Sequence, residues 1–216
     1  MKWLVILSGG MDSTTVLYKA VKQCDEVEAI TFNYWQNHSK EIDFAKKSCK
    51  KLDVKHKIVD ITFMKNLSKS ALTNWANSIP EWHYEEENMK QTVVPNRNMI
   101  LTAIAAWYAT NIGASKLYLW VHSWDHAIYP DCRPEFIESL QKTLEVGMWE
   151  DLEIKTPYLD NDKIGIIADG KKLGVPYEDT WTCYKGEWKA CWKCWSCQER
   201  LEAFEENNIE DPLEYK

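Results

Sequence analysis

Apolar and polar positions along this chain fall into two alternating patterns. Short apolar-rich runs occupy 3–7 (Trp-Leu-Val-Ile-Leu), 27–32, 56–61 and 116–121, with a weaker one near 153–156. Between them, apolar residues recur at helical spacing over roughly 13–23, 39–52, 97–112, 134–148 and 162–173. Strand-length runs alternating with amphipathic helices predict an α/β fold, a doubly wound and mostly parallel sheet with helices on both faces. Ligands of such sheets bind beyond the carboxyl ends of the strands. The segments after residues 7 and 121 are expected to open there.

The connection from about 62 to 95 carries few strong elements; it holds Pro80 and the acidic, aromatic stretch Glu81–Glu87. A lid, a surface excursion and an oligomer contact all fit so long a loop. At 216 residues, 1–216 is read as one domain able to bury a substantial core. The N-terminal apolar run is too short for a signal peptide, and no stretch reaches the ~18 apolar residues of a membrane span. The expectation is a cytoplasmic protein without membrane contact.

Charge narrows the partners. Lys and Arg total 26 against 33 Asp and Glu, a formal net charge of −7. A broad phosphate-backbone footprint would be basic, which argues against long nucleic acid as the substrate. The 12 tryptophans are expected chiefly in packing.

The run 3–7 stops at Ser8-Gly9-Gly10-Met11-Asp12-Ser13, where a helical pattern opens. Glycines let backbone approach an anion, and the N–H groups of a helix start point at it. The segment lacks the Gly-Lys-Ser/Thr ending of the common nucleoside-triphosphate loop. That favours a cradle for the pyrophosphate of ATP over a lysine grip on the terminal phosphates. Ser8 and Ser13 are expected to donate to phosphate oxygens. Asp12 accepts only when ionised, so it would orient the loop or meet Mg²⁺. Leu7, Thr14 and Thr15 complete the cofactor-binding segment.

Seven cysteines are present, four of them as Cys183, Cys191, Cys194 and Cys197 in the spacing C-x₇-C-x₂-C-x₂-C. Four thiolates at this spacing suit a closed, tetrahedral and therefore structural Zn²⁺ site within a module at about 181–200. An iron–sulfur cluster ranks behind zinc. Cys24, Cys49 and Cys132 are expected as free thiols.

Two further segments carry candidate chemistry. Arg97 follows Pro95-Asn96 at a helix start and suits a phosphate or carboxylate. Beyond the fourth strand, His122 and Asp125 precede Tyr129-Pro130-Asp131-Cys132-Arg133. There Asp131 would accept from the N–H edge of a guanine-like base and Arg133 would meet a carboxylate, unless Asp131 simply caps a turn.

These elements, in this order, resemble the 7-cyano-7-deazaguanine synthases (QueC) of the PP-loop ATP-pyrophosphatase group over nearly the whole chain. The resemblance rests on Ser8–Ser13, Thr31-Phe32-Asn33-Tyr34, Val94-Pro95 with Arg97-Asn98, Tyr129–Arg133, Thr156-Pro157, Lys163, Thr182-Cys183-Tyr184 and the four cysteines. It implies a ligase that adenylates 7-carboxy-7-deazaguanine and condenses it with ammonia, giving the amide and then the nitrile, with AMP and pyrophosphate released. It also implies a homodimer, a structural zinc, and catalytic roles for Ser8, Asp12, Ser13, Arg97 and Lys163, the last two against phosphate.

The chain departs from the family pattern at four places. Trp35 and Trp120 stand where glycine is usual, Ala127-Ile128 replaces Ser-Gly, and Asn96 replaces Gly. Asn tolerates the left-handed conformation of Gly. An indole at Trp120 would fill space at the substrate or offer it a stacking face. A pocket so altered could stop at 7-amido-7-deazaguanine. A reading of another class makes the cysteine module a nucleic-acid or interaction ribbon, with Trp188, Trp192 and Trp195 as stacking aromatics interleaved with the charges of Lys189 and Lys193; packing of those indoles at the metal or at a subunit contact is the competing account.

Overall fold

The computed structural model describes residues 1–34, 40–67, 70, 92–185 and 188–216. Five strands and six α-helices alternate along them: β1 (Lys2–Ile6), α1 (Met11–Gln23), β2 (Glu26–Asn33), α2 (Lys40–Lys51), β3 (Lys55–Asp60), α3 (Arg97–Ile112), β4 (Ala114–Tyr118), α4 (Pro134–Gly147), β5 (Glu153–Lys155), α5 (Lys163–Leu173) and α6 (Trp195–Glu206). All neighbouring strands pair in parallel, in the order β3-β2-β1-β4-β5. The order reverses on either side of β1, and a crevice opens at the carboxyl ends of β1 and β4.

Alternation along β1 sorts its side chains onto two faces. Leu4 and Ile6 join a core with Leu101, Ala105 and Ala109 of α3 and Ile137 and Leu140 of α4. Trp3, Val5 and Leu7 join the opposite core with Val16 and Leu17 of α1, Ala45 of α2 and Ile166 of α5. The doubly wound sheet read from the sequence is therefore present. Leu4, Val5 and Ile6 are at most 2% exposed, and burial of each contributes about 1.5–3 kcal/mol. That anchorage fixes where the glycine loop begins.

The structure differs from the sequence reading in several places. β4 ends at Tyr118 rather than 121. Its hydrogen-bonding partner runs out there: Leu119 N–H still reaches the Lys155 carbonyl at 2.9 Å, but β5 ends at Lys155. The freed residues Trp120 and His122 turn toward the crevice. The segment read as a metal-binding loop, about 181–200, runs into the first half of the helix α6, whose buried side chains include Ser196, Glu199 and Arg200. A helix that buries polar residues shows little amphipathic pattern.

Arg200 explains that burial. Its guanidinium donates to both carboxylate oxygens of Asp211 (2.8 and 2.9 Å), to Thr180 and Thr182 hydroxyls, and to the Tyr177 carbonyl. Tryptophan is also less internal than expected. Among the described residues only Trp3 and Trp181 are buried, whereas Trp107, Trp149 and Trp188 are largely exposed. Trp35 and most of the connection 62–95, Pro80 and Glu81–Glu87 included, lie outside the described residues.

Candidate active site

The glycine loop is built by its own hydroxyls. Ser13 Oγ accepts from the N–H groups of Ser8 (3.1 Å) and Gly9 (3.3 Å) and donates to the Gly10 carbonyl. Ser8 Oγ accepts from Gly10 N–H at 3.2 Å and lies 2.9 Å from Ser13 Oγ. Gly9 holds φ +96°, and a Cβ there would lie 2.0 Å from the Glu41 carbonyl oxygen of α2. Glycine at this position is thus required by helix packing, whatever anion the loop meets. The first intrahelical bond of α1 runs from Thr14 N–H to the Gly10 carbonyl, so the preceding N–H groups face outward from the helix start.

Ser8, Gly10, Met11 and Asp12 line a cleft. Leu7, Arg97, Trp120, Asp125 and Lys163 line it as well, so most of the sequence-derived candidates converge. Gly9, Ser13, Thr14 and Thr15 do not. Ser13 is spent on the loop, and Thr15 bonds the Met11 carbonyl and Tyr177 Oη.

Two cations face this space. Arg97 opens α3 immediately after Asn96, which takes the left-handed conformation (φ 54°, ψ 25°). This is the conformation anticipated for Asn in place of Gly. Burial opposes the Arg97 charge, but Tyr34 and Asp131 beside it more than offset that and raise its pKa. Lys163 opens α5 behind the Asp162 cap, whose carboxylate accepts from Gly165 N–H at 2.7 Å. Burial would lower the Lys163 pKa; Glu199, with Asp12 and Asp125, reverses the shift and keeps the ammonium charged.

His122, 1% exposed, lines the same cleft. Its Nε2 lies 3.4 Å from Asp125 Oδ2 and 3.8 Å from Asp12 Oδ2. Asp12 Oδ1 is buried without a hydrogen-bond partner. A hard cation would suit that oxygen, and Asp12 is the residue that would hold one here.

The Tyr-Pro-Asp-Cys-Arg segment contributes differently from the expectation. Asp131 Oδ2 accepts from the backbone N–H of Asn98 at 2.9 Å, so it caps α3. Arg133 Nε donates to the His126 carbonyl at 2.7 Å. Neither lines the cleft; Tyr129 does. Its hydroxyl meets Thr92 Oγ1 at 2.8 Å, and burial pushes its pKa up to about 12. Ile128 is buried and Ala127 exposed, both away from the cleft lining.

The four cysteines gather as their spacing promised. Their Sγ atoms lie within 4.8 Å of one another, all buried. Cys191 N–H points at Cys183 Sγ and Cys194 N–H at Cys191 Sγ, at 3.4 and 3.2 Å. Thiolates about 2.3 Å from a tetrahedral ion sit roughly 3.8 Å apart, so the set fits a metal. Its flanking residues Trp181, Thr182, Tyr184 and Ser196 wall the cleft, a contribution the spacing alone did not disclose. Trp188 is 86% exposed, beyond any packing against the cysteines.

Comparisons with known proteins bear on the family and the fold. The family model described as queuosine biosynthesis protein QueC matches residues 2–208. "7-Cyano-7-deazaguanine synthase 1" of Colwellia psychrerythraea is 55% identical over 100% of this chain and 99% of its own length. The 7-cyano-7-deazaguanine synthase of Methanoregula boonei is 52% identical with both chains fully covered. Among solved structures, the NMN synthetase from Francisella tularensis superposes with a TM-score of 0.54 at 13% identity, covering 96% of this chain and 77% of that one. The U34-tRNA thiolase NcsA from Methanococcus maripaludis gives 0.51 at 17%, covering 96% and 66%. The structures share the fold; the relatives share the sequence along its whole length. On that match, the chain belongs to the QueC family of queuosine biosynthesis, whose full-length relatives are named 7-cyano-7-deazaguanine synthases.

Proposed function

We propose that the protein converts 7-carboxy-7-deazaguanine, ammonia and two molecules of ATP into 7-cyano-7-deazaguanine, two AMP and two pyrophosphate. The observation that carries this reading is the convergence of the Ser8–Asp12 loop with Arg97 and Lys163 on one cleft. A carboxylate cannot expel oxide, so the first ATP turns its oxygen into an adenylate and pyrophosphate leaves. Ammonia attacks the acyl carbon, AMP departs, a proton is lost and the amide forms. The second ATP adenylates the amide oxygen; loss of AMP and a proton leaves the nitrile.

The chain's own groups serve positioning and charge neutralisation. Ser8 Oγ and the outward N–H groups of the α1 start would hold the leaving pyrophosphate. Arg97 and Lys163 would offset the charge that develops on it, and Asp12 would hold Mg²⁺, which when bound screens the phosphates further. Trp120 offers an aromatic face for the flat deazapurine, beside Asp125. The four cysteines would hold Zn²⁺, which fixes the wall formed by Trp181–Tyr184 and supplies no reaction step.

The test is product identification. Purified protein given the acid, ammonium and ATP should yield nitrile and AMP by mass spectrometry. Amide as the sole end product would overturn the second adenylation. Absence of AMP would overturn the ligase reading in favour of a binding module.

A further inference from the structure

A buried ion pair joins the cysteine module to a cation of the cleft. Glu199 lies on α6, whose first turn carries Cys197 and whose cap is Cys194. Its carboxylate bonds the Lys163 ammonium, and the two residues are 4% and 5% exposed. Lys163 lines the cleft and Glu199 does not, so Glu199 reaches it only through the lysine. For stability alone, a well-packed apolar pair of similar volume would serve as well as this one or better. Stability is therefore not the reason for the pair, whereas its position at the cleft offers one. A second tie runs parallel to it: Trp181 N–H, two residues before Cys183, donates to the Gly9 carbonyl of the glycine loop at 3.0 Å.

We propose that Glu199 is a positioning residue that holds Lys163 toward the nucleotide, and that metal in the four-cysteine site and nucleotide in the cleft therefore bind with positive coupling. The inference rests on the reading of the cleft as an ATP site. Metal loading orders the Cys194–Cys197 turn; that turn sets the register of α6 and Glu199, and Glu199 sets Lys163. Linkage makes the effect reciprocal: the factor by which metal tightens nucleotide equals the factor by which nucleotide tightens metal.

The experiment measures zinc affinity by competition with a chromophoric chelator, with and without a non-hydrolysable ATP analogue. In the wild type, the analogue should tighten zinc about 10-fold, within the usual range of coupling between sites. Glu199→Gln should still take up zinc without the analogue, while the coupling falls below about 2-fold. Its KM for ATP should rise more than its kcat falls, and Glu199→Asp should restore part of both. Should Glu199→Gln fail to fold, Lys163→Gln combined with Glu199→Gln leaves no charge unpaired, and the coupling should again be lost. Analogue binding with no effect on zinc, or full coupling retained in Glu199→Gln, overturns the inference and leaves the synthase reading standing. No analogue binding by zinc-loaded wild type overturns both.

Discussion

The backbone N–H of Trp181 donates to the carbonyl of Gly9 at 3.0 Å, so the loop that opens the cleft is held by the segment that closes it. Gly9 is fixed from the other side as well, where α2 passes within 2.0 Å of its absent Cβ. Gly9→Ala must therefore push α2 away and hold alanine at positive φ. The expected cost is about 2–4 kcal/mol, from the left-handed penalty and overpacking together. Urea denaturation measures it; a loss below about 0.5 kcal/mol would show that α2 yields freely.

Asp131 should behave as a cap rather than as a substrate contact. Asp131→Ala strips the Asn98 N–H of its acceptor and is expected to destabilise the fold by about 1–3 kcal/mol. KM for the deazapurine acid should stay within about two-fold, once activity is scaled to folded protein. A selective rise in that KM would return Asp131 to the substrate.

Protonation of His56 gives a pH dependence of stability with a defined sign. Burial, then the nearby Lys46, lowers its pKa below 6.5. Thr31 donates its hydroxyl to the Leu7 carbonyl at 2.6 Å, so His56 Nε2, 2.7 Å from Thr31 Oγ1, is the donor of that pair. The second ring proton, on Nδ1, is bound more readily by the unfolded chain than by the folded one. The contribution is therefore complete above pH 6.5 and lost as pH falls through the depressed folded value. Melting temperature should decline from pH 7.5 to 5.5, and His56→Gln should flatten that part of the profile.

Metal removal should loosen the cleft wall before it touches the sheet. Chelation frees four buried thiols, two of them (Cys194 and Cys197) at the start of α6, and the melting temperature is expected to fall by at least about 5 °C. Metal analysis of the protein as purified should find about one ion per chain, and zinc should be the ion that restores the melt. Restoration by iron and sulfide alone would reassign the site to a cluster.

Trp120 packs against both faces of the sheet as well as lining the cleft. Trp120→Gly is expected to lower stability by about 3 kcal/mol and to raise KM for the acid about ten-fold. The ratio of nitrile to amide should not rise. A higher nitrile share in the variant would instead mean that the indole obstructs the second adenylation.

Much of this arrangement was legible in the sequence, because it rests on local pattern. The run 3–7 and its glycines gave a buried strand and its loop, and four cysteines at short spacing gave their own cluster. What stayed hidden depends on contacts between distant segments. Nothing local distinguishes Asp131, which caps a helix begun more than thirty residues earlier, from an aspartate facing a ligand. Glu199 and Arg200 look like solvent-facing helix residues, since their partners Lys163 and Asp211 lie on other segments. In the sequence Gly9 points to phosphate approach, whereas its neighbour in space is the backbone of Glu41.

The tie between Gly9 and Trp181 also has a bearing on synthesis. On the ribosome, β1 and its loop emerge well before the wall that completes their cleft, which lies about 170 residues further along. Until then the loop has its serines but lacks Lys163, Trp181 and the cysteine cluster. A growing chain therefore lacks an assembled cleft until the segment carrying Trp181 and the cysteines has followed.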